Sequence, residues 1–417
     1  MYRYRSSVQA PLDPPTPTPA PAPPTVQEVV RPPDWILAAA VAALTIFGLI
    51  MIYSTTYVWD DNNPAYFMLR QGAYAVVGIV ALLVMMRIPY RFWQRISVAF
   101  MVAILVGLGV LLLVAKAKMG AARWFGDGSF QPSEVAKLAV IIYSAAWLAS
   151  KGQKIRSVTV GLIPFSIFIG LVAGLILLQP NMSTASLIAL TAFSMFLIAG
   201  ADLVQMFVAT LIGTLAAGVL ILNAAYRLKR VAIFMDPLSD PDGLGYHITR
   251  ALAALNAGGL VGLGLGNSPH KWNNMLPAPH TDSIFAMIGE ELGFIGALAV
   301  VAVYVLIAYR GLRIAQRAPD RFGMLLASGI TVLFTLQAMI NIAVITSTAP
   351  FTGVPLPFIS FGGSSLVISL ATIGLLLNIS RHVRVESTAD ASTTVGRRNR
   401  GTRVPRAERP IRPGAGD

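Results

Sequence analysis

The sequence predicts an all-α polytopic membrane protein with about ten transmembrane helices and a large extracytoplasmic loop between helices 7 and 8. Three observations lead to this fold class. The 417-residue chain is 55% hydrophobic and 12% charged, with a mean hydropathy of +0.67, which is the composition of a membrane protein. Its apolar stretches approach the roughly 20 residues that a helix needs to cross the hydrocarbon layer. Its Lys and Arg residues concentrate in alternate connections between those stretches, as in proteins that follow the positive-inside rule.

Ten apolar stretches make up the predicted helices. Each has the length and composition of a membrane-spanning helix. They are Trp35–Tyr53, Tyr66–Met86, Ile96–Ala115, Ser133–Ser150, Val158–Leu178, Met182–Gly200, Leu203–Asn223, Ile284–Tyr309, Phe322–Ile345 and Gly363–Ile379.

The orientation of these helices follows from the basic residues that come after the second, fourth, eighth and tenth stretches. These are Arg87, Arg91 and Arg95, then Lys151, Lys154 and Arg156, then Arg310, Arg313, Arg317 and Arg321, and finally Arg381 and Arg384. If the spans alternate, all four groups lie on one side, which is predicted to be the cytoplasm and to hold both termini. The connection 226–282 then lies outside, together with segments 116–131, 179–181 and 346–361.

The predicted transmembrane domain, 35–382, is flanked by two segments that we expect to be disordered and cytoplasmic. Residues 1–34 are proline-rich and lack the apolar core and cleavage site of a signal peptide, so we predict a partly polyproline-II arm. Residues 383–417 are rich in Arg, Pro, Gly, Ser and Thr, a composition typical of disorder. The charge of this tail either attracts anionic lipid or simply anchors the topology.

Composition excludes several kinds of site. The chain has no cysteine, so it has neither a disulfide framework nor a thiolate that could bind metal or act as a nucleophile. The formal charge of +13 does not indicate a nucleic-acid partner, because much of it lies in short loops beside apolar spans and in the C-terminal tail.

The stretch from Tyr226 to Gly293 contains most of the concentrated polar chemistry. A connection of this length between spans is usually functional. The alternative is a disordered connector, against which segments 248–255 and 284–288 are apolar enough to pack. The glycine run 258–266 resembles a dinucleotide-binding pattern, but it follows no strand. Close packing of the backbone explains these glycines better.

Cations on the predicted outer side depart from the positive-inside pattern. They are Lys116, Lys118 and Arg123, then Arg227, Lys229, Arg230, Arg250 and Lys271, with Arg70 near the outer end of the second span. Long loops often disobey the charge rule, which is one explanation. The other is a basic lining for an anionic ligand, since the planar guanidinium group of arginine binds two phosphate oxygens at once.

Glu134 and Lys137 form a second polar group, near the outer end of the fourth span. They are three residues apart and therefore share a helix face. Charges in such places usually face a cavity or a partner. The alternative is an interfacial ion pair that only fixes the helix.

Asp282 is the candidate general base. It follows His280 and Thr281 at the start of the eighth span, where a carboxylate can also serve as a helix cap. Its polar neighbours, the cations in the same loop and the scarcity of other external carboxylates favour a catalytic role. His280 and His270 are isolated from each other and predict no metal site.

These residues belong to a longer pattern that resembles the SEDS family of bacterial cell-wall proteins, which includes FtsW, RodA and SpoVE. The resemblance covers nearly everything from Trp35 to His382, and segments 262–268 and 288–291 look more like FtsW than RodA. The matching segments are Ala122-Arg123-Trp124, Phe130 to Glu134 with Lys137, Gln179-Pro180, Asp236-Pro237, Gly245-Tyr246, Gly258-Gly259, Leu276-Pro277, His280-Thr281-Asp282 with Ile284-Phe285, Gly289 to Gly293, and Pro357 to Ser365.

The resemblance implies a peptidoglycan glycosyltransferase with ten spans in the bacterial cytoplasmic membrane, acting in septal wall synthesis. Its implied substrates are lipid II and a lipid-linked nascent glycan. Its implied partners are a class B penicillin-binding protein and other divisome membrane proteins. The resemblance also implies that Asp282 is the essential catalytic carboxylate.

Three positions depart from the family pattern. Asn181 follows Gln-Pro where the family usually has Asp, so a catalytic carboxylate at that position cannot apply here. Ser283 stands where Phe usually follows His-Thr-Asp. His247 stands where many members have Gln.

The expected chemistry joins the C1 of a sugar, activated as a lipid pyrophosphate, to the 4-hydroxyl of another sugar with inversion. Asp282 would take the hydroxyl proton. The best candidates to stabilise the leaving pyrophosphate are Arg123 and Lys137. Glu134 would hold Lys137, and the other candidate substrate-binding residues are Arg70, Arg227, Arg230 and His280.

No cofactor is required by the sequence, although Mg²⁺ or Mn²⁺ could share the charge of the pyrophosphate. The alternatives are a lipid II flippase, an elongation-type (RodA-like) polymerase and a non-catalytic divisome scaffold. Inverted repeats with broken helices would favour the flippase.

Overall fold

Twelve α-helices and two short strands make up the described part of the chain. The computed structural model describes residues 26–59, 63–114, 131–223, 225–240 and 243–386. The helices are α1 (Trp35–Thr56), α2 (Tyr66–Arg87), α3 (Tyr90–Val114), α4 (Pro132–Lys151), α5 (Ile163–Leu178), α6 (Met182–Ile198), α7 (Leu203–Leu222), α8 (Ala225–Met235), α9 (Leu244–Gly258), α10 (Ile284–Arg317), α11 (Arg321–Ile345) and α12 (Gly363–Ser380). Short 3₁₀ turns lie at Gly152–Arg156, Pro237–Ser239 and Pro269–Asn274, and a π turn at Val158–Leu162 leads into α5.

All ten predicted stretches are helical, which confirms the predicted fold class of an all-α polytopic membrane protein. Among the described residues, eight helices are long and apolar enough to cross a membrane, while Met182–Ile198 and Leu203–Val219 are apolar but shorter. The exact number of spans therefore stays a prediction. Two helices extend clearly beyond their predicted bounds, because α3 begins at Tyr90 rather than Ile96 and α10 continues past Tyr309 to Arg317. Arginine has a long apolar stem and a charged head, so a helix can carry it from the hydrocarbon into the polar interface.

Two strands form the only sheet in the described residues. β1 (Val26–Val30) pairs with β2 (His382–Glu386). The inner ends of both predicted arms are therefore strands rather than disordered chain, while the remainder of each arm lies outside the described residues. The helices all belong to one compact unit, Val29–Val383.

The centre of the helical unit is formed by α4, α11 and α12. In the apolar 18-residue segments of α4 and α12, 67% of the residues are buried, whereas the corresponding share is 17% in α2 and 22% in α3. Large apolar side chains on α2 and α3 are exposed, as expected for helices that face lipid.

The long connection between α7 and α10 is a packed structure rather than a disordered connector. It contains α8 and α9, and its glycine run joins the backbone of α10 at a break. Gly293 has φ 69° and ψ −170° inside α10, so the helical ladder is interrupted there. Leu263 N–H and Gly264 N–H donate to Glu290 O and Glu291 O at 3.0 and 2.9 Å. These bonds satisfy carbonyl groups that the break would otherwise leave unpaired.

This junction accounts for the glycine run. A Cβ atom at Gly262, which has φ 81°, would lie 2.2 Å from Glu291 O. Any larger residue there would push the loop away from α10. Close backbone packing, expected from the sequence, is confirmed.

Candidate functional site

Asp282 lies in the turn before α10. Its Oδ1 accepts a hydrogen bond from Thr281 Oγ1 at 2.9 Å, and its backbone carbonyl accepts one from Asn341 Nδ2 at 2.8 Å. The N-cap of α10 is Ser283, which makes no side-chain cap bond, so Asp282 is not the cap of this helix. The carboxylate is half-buried, and no donor within the described ranges engages Oδ2. One oxygen is therefore oriented by the protein, while the other lies beside Gly353, where an added Cβ would be 3.4 Å away.

The segment from Val354 to Phe361 forms a scaffold around the residues that precede Asp282. Ser360 Oγ donates to Thr281 O at 2.6 Å, and Phe361 N–H donates to His280 O at 2.8 Å. From α11, Asn341 Nδ2 also donates to Val354 O at 2.7 Å. Each buried amide or hydroxyl bond adds about 1 kcal/mol and leaves costly unpaired groups when broken. The backbone at Asp282 is thus held from two sides.

Glu134 and Lys137 form a buried ion pair on α4. Glu134 Oε2 and Lys137 Nζ are 2.8 Å apart, and each side chain is only 6% exposed. Lys137 Nζ also donates to Gln337 Oε1 at 3.3 Å, and Gln337 Nε2 donates to Pro355 O at 3.0 Å. The pair adjoins a cavity of about 10 Å³, which is near the least that holds one water molecule. The ion pair is therefore connected to the loop 354–361 by the side chain of Gln337 on α11, and within the described residues no larger cavity joins them at this pocket.

His247 and Ser283, two of the three positions that depart from the family pattern, contact each other. Ser283 Oγ and His247 Nε2 are 2.9 Å apart, and Ser283 Oγ also donates to Pro277 O at 3.1 Å. Both side chains are buried, and the His247 ring packs against Phe351 at 4.5 Å. Burial lowers the pKa of His247, and the nearby Asp282 carboxylate opposes part of that shift. This pair fixes the residue next to Asp282.

Asn181, the third departure, is the N-cap of α6. Its Oδ1 accepts from Thr184 N–H at 3.3 Å, and its side chain is buried. Ser183 Oγ donates to Thr352 O, so the start of α6 lies against the loop that passes Asp282. Asparagine is among the best N-cap residues, which agrees with the expectation that this position closes a turn.

The structure places the predicted cations in different environments. Arg230 Nη1 donates to Phe351 O at 3.4 Å, so it shares the loop that packs on His247. Arg70 donates to Tyr66 Oη at 3.4 Å on the exposed surface of α2. Arg227 is in α8, and its side chain is not described. Arg123 lies outside the described residues, so its predicted role stays a prediction.

His280 sits among aromatic rings. Its ring centroid is 4.9 Å from that of Trp59, 5.1 Å from Phe67 and 5.3 Å from Phe361. Burial lowers its pKa to about 4, so the ring is neutral at physiological pH and adds no cation. Its role in substrate binding stays a prediction.

Glu290 and Glu291 take part in a second buried polar cluster beneath the glycine run. His270 Nδ1 lies 2.5 Å from Glu290 Oε1, and Lys271 Nζ lies 3.9 Å from Glu291 Oε1. Lys271 also lies over the Tyr57 ring at 4.5 Å. Lys271 is therefore the cation that faces Glu291. Lys271 is fully buried here and does not line an open site. No group of three or more His, Cys, Asp or Glu residues in the described part could hold a metal ion.

Sequence reasoning missed Gln337 and Asn341, which connect the ion pair to Asp282. A signal was available, because these two amides are four residues apart within an otherwise apolar span and so share a helix face. Polar residues inside a span usually face a partner. Their partners, however, are backbone carbonyls in a distant loop, and no sequence pattern identifies those.

Curated relatives match most of the chain. A protein of Trichlorobacter lovleyi named "Probable peptidoglycan glycosyltransferase FtsW" is 39% identical over 371 residues, covering 86% of this chain and 97% of the relative. "Stage V sporulation protein E" of Bacillus subtilis is 39% identical over 364 residues, covering 84% of this chain and 98% of the relative.

Solved structures and a family model agree with these relatives. A chain from a structure described as "Structural coordination of polymerization and crosslinking by a peptidoglycan synthase complex" superposes with a TM-score of 0.70 at 27% identity, covering 84% of this chain and 98% of that one. The rod shape determining protein RodA of Thermus thermophilus shares the fold, with a TM-score of 0.61 at 24% identity over 84% of this chain and 97% of its own. The family model described as "Cell cycle protein" matches residues 34–385. The chain is therefore a member of the FtsW/RodA/SpoVE family of multi-pass bacterial membrane proteins.

Proposed function

We propose that this chain is a peptidoglycan glycosyltransferase that polymerises lipid II at the outer face of the cytoplasmic membrane during septal wall synthesis. The observation that carries the proposal is the state of Asp282, whose Oδ1 is oriented by Thr281 while Oδ2 accepts no hydrogen bond from a described residue. A half-buried carboxylate held in this way suits a general base. The name of the relative from T. lovleyi and the description of the similar peptidoglycan synthase complex support the same activity.

In the proposed reaction the 4-hydroxyl of one sugar attacks C1 of another. The O4–C1 bond forms as the bond from C1 to the lipid pyrophosphate breaks, and the pyrophosphate leaves with the electron pair. The hydroxyl proton passes to the Asp282 carboxylate. Single displacement inverts the configuration at C1.

Cations would stabilise the charge that develops on the departing pyrophosphate. Among the described candidates, Arg230 contacts Phe351 O, in the loop whose Gly353 lies beside Asp282 Oδ2. Lys137, Arg123, Arg70 and Arg227 remain candidates, with Glu134 holding Lys137. Mg²⁺ or Mn²⁺ could share this charge, but the described residues supply no cluster of carboxylates and imidazoles to hold it.

The proposed partners are a class B penicillin-binding protein, other divisome membrane proteins and the lipid-linked nascent glycan. The similarity to a chain from a complex that coordinates polymerization and crosslinking supports the first of these. In the proposed topology both termini are cytoplasmic and the α8–α9 connection is extracytoplasmic, in keeping with the Lys and Arg bias of the loops.

A broken helix is the feature that would favour a lipid II flippase, because transporters use freed backbone groups at such breaks to bind substrates. The break in α10 is of a different kind. The carbonyls of Glu290 and Glu291 already accept bonds from Leu263 and Gly264. They are not available to a substrate, so the polymerase is the better interpretation.

The test is lipid II polymerisation by the purified chain, with and without a class B transpeptidase, comparing the parent with Asp282→Asn. Asparagine keeps the size of aspartate but cannot take up the proton. We expect the variant to insert and bind the partner normally yet to form no glycan. Parent-like turnover by Asp282→Asn would exclude Asp282 as the base. Transfer of labelled lipid II across vesicles without polymerisation would favour the flippase.

A further inference from the structure

A pocket lined by arginines lies at the end of the helical unit that is remote from Asp282. We call it the arginine pocket, and it has a volume of about 320 Å³. That volume is within the usual range for small-molecule sites, about 300–1,000 Å³. The residues used below are Arg31, Asp34, Trp35, Arg310, Arg313 and Arg317.

The arginine pocket and Asp282 belong to opposite faces of the membrane. Asp282 precedes the first residue of α10, Ile284, whereas Arg310 is near the last turns of the same helix. At 1.5 Å per residue roughly 39 Å of helix, with the break at Gly293, separates them along the chain, which exceeds the hydrocarbon thickness of about 30 Å. The pocket is therefore separate from the candidate active site, and conclusions about it do not depend on the proposed glycosyltransferase activity.

Positive charge in the pocket exceeds negative charge. Asp34 is a lining carboxylate, and it is already engaged by Arg310, with Nε to Oδ2 at 2.9 Å and Nη2 to Oδ2 at 2.6 Å. Arg313 and Arg317 follow Arg310 at intervals of three and four residues, so they share its helix face. Within the described ranges neither of them has an ion-pair partner, and the same holds for Arg31. Three guanidinium groups thus remain uncompensated around one cavity.

This arrangement suits a phosphate group. Each guanidinium presents a planar fork of donors that matches two phosphate oxygens. Trp35 lines the pocket and is 65% exposed, and tryptophan at the end of a span marks the interface between headgroups and acyl chains. Basic pockets between helix ends on the cytoplasmic side are sites at which anionic lipid headgroups bind.

We infer that the arginine pocket binds a phosphate group, supplied by the headgroup of an anionic phospholipid in the leaflet opposite to Asp282. Arg310 and Asp34 form the wall of the site. Arg313, Arg317 and Arg31 hold the phosphate oxygens, and the acyl chains leave along Trp35. Inorganic phosphate or a soluble phosphate ester shares the recognised chemistry and is the second source to be tested.

The experiment uses the full-length chain in phosphatidylcholine nanodiscs that contain increasing fractions of phosphatidylglycerol with brominated acyl chains. Bromine quenches nearby tryptophan, and the contribution of Trp35 is obtained by subtracting the signal of Trp35→Phe. We expect half-maximal quenching at a lower fraction of brominated phosphatidylglycerol than of brominated phosphatidylcholine. Arg313→Gln should raise the fraction of phosphatidylglycerol needed by about fivefold, and Arg313→Gln with Arg317→Gln by more.

Controls separate the pocket from general surface charge. Arg95→Gln with Lys154→Gln removes two exposed cations near the same end of the unit and should leave the quenching unchanged. Their neighbours Arg91 and Gly152 contact Asp320 and Arg321, which follow the end of α10. Arg313→Lys with Arg317→Lys keeps the charge but removes the planar guanidinium donors. It should disturb the fold less than the glutamine pair and give an intermediate effect on the quenching.

Two results decide the source of the phosphate, and two others overturn the inference. Preference for brominated phosphatidylglycerol that is lost in the glutamine pair identifies the lipid. Binding of inorganic phosphate in phosphatidylcholine nanodiscs that is lost in the same pair, without any lipid preference, identifies a soluble phosphate. The inference is overturned if neither ligand distinguishes the parent from the glutamine pair, or if the control pair behaves like the pocket pair.

Discussion

Replacement of Lys137 by methionine, alone and together with Glu134→Gln, tests whether the buried ion pair on α4 serves only the fold. The two groups are 2.8 Å apart and each is 6% exposed. Lys137→Met leaves the Glu134 carboxylate buried without its partner, which should lower the free energy of unfolding by about 3–5 kcal/mol. Methionine and glutamine together match the volumes of the original pair and carry no charge. The double variant should therefore lie within about 1 kcal/mol of the parent, as neutral replacements of buried pairs often do.

Turnover supplies the second measurement. If Lys137 stabilises the leaving pyrophosphate, the double variant regains stability but not activity. Its rate of lipid II polymerisation per folded molecule should be about 100-fold or more below that of the parent, the usual effect of losing one preplaced group in a transition state. Unfolding would be followed in detergent, and polymerisation would be measured with the transpeptidase present. Lys229→Met is a matched control, because the Lys229–Asp240 pair is 59% and 19% exposed and should be worth less than about 1 kcal/mol.

Two outcomes would refute this reasoning. If the double variant recovers both stability and turnover, the pair is structural and the charge of Lys137 is not used in the reaction. If Lys137→Met alone is as stable as the parent, the Glu134 carboxylate is not held as a buried charge, and the magnitude derived above is wrong.

Three further predictions concern residues near Asp282. Asn181→Asp should change the polymerisation rate by less than tenfold, because Asn181 caps α6; a larger gain (about 1.4 kcal/mol in the barrier) would mean that a second base is useful at this position. Asn341→Leu leaves the carbonyls of Asp282 and Val354 unpaired, so it should lower the free energy of unfolding by about 1–3 kcal/mol for each carbonyl. The rate of polymerisation should fall about tenfold or more. Unchanged kinetics would show that Asn341 does not position Asp282. Burial lowers the pKa of His280 to about 4, so the unfolded chain takes up a proton at higher pH than the folded chain. The free energy of unfolding of the parent should therefore fall by up to about 3 kcal/mol as pH falls from about 6.5 to 4. His280→Phe should remove that loss in pH-dependent unfolding, and an unaltered pH profile would contradict the shift.

The sequence by itself determined the features that depend on neighbouring residues. In an apolar medium a helix makes all its backbone hydrogen bonds within one segment. Each apolar stretch from Trp35 to Ile379 could therefore be predicted from its own residues, and all ten are helical. The Glu134–Lys137 pair was predictable for the same reason, since three residues along a helix bring side chains together. The pattern of segments from Ala122 to Ser365 was sufficient to identify the family.

Tertiary structure alone decided which distant residues meet around Asp282. Asn341 is 59 residues from Asp282 along the chain, and His247 is 36 residues from Ser283. These contacts require α9, α10 and α11 to pack in one particular arrangement, and each helix could satisfy its own backbone in many others. The break at Gly293 is a further case. It frees the carbonyl groups of Glu290 and Glu291 from the helix, and their hydrogen-bond donors come from the glycine run, more than 25 residues earlier. Local propensity has no access to such pairings, since their energy arises only after the helices have packed.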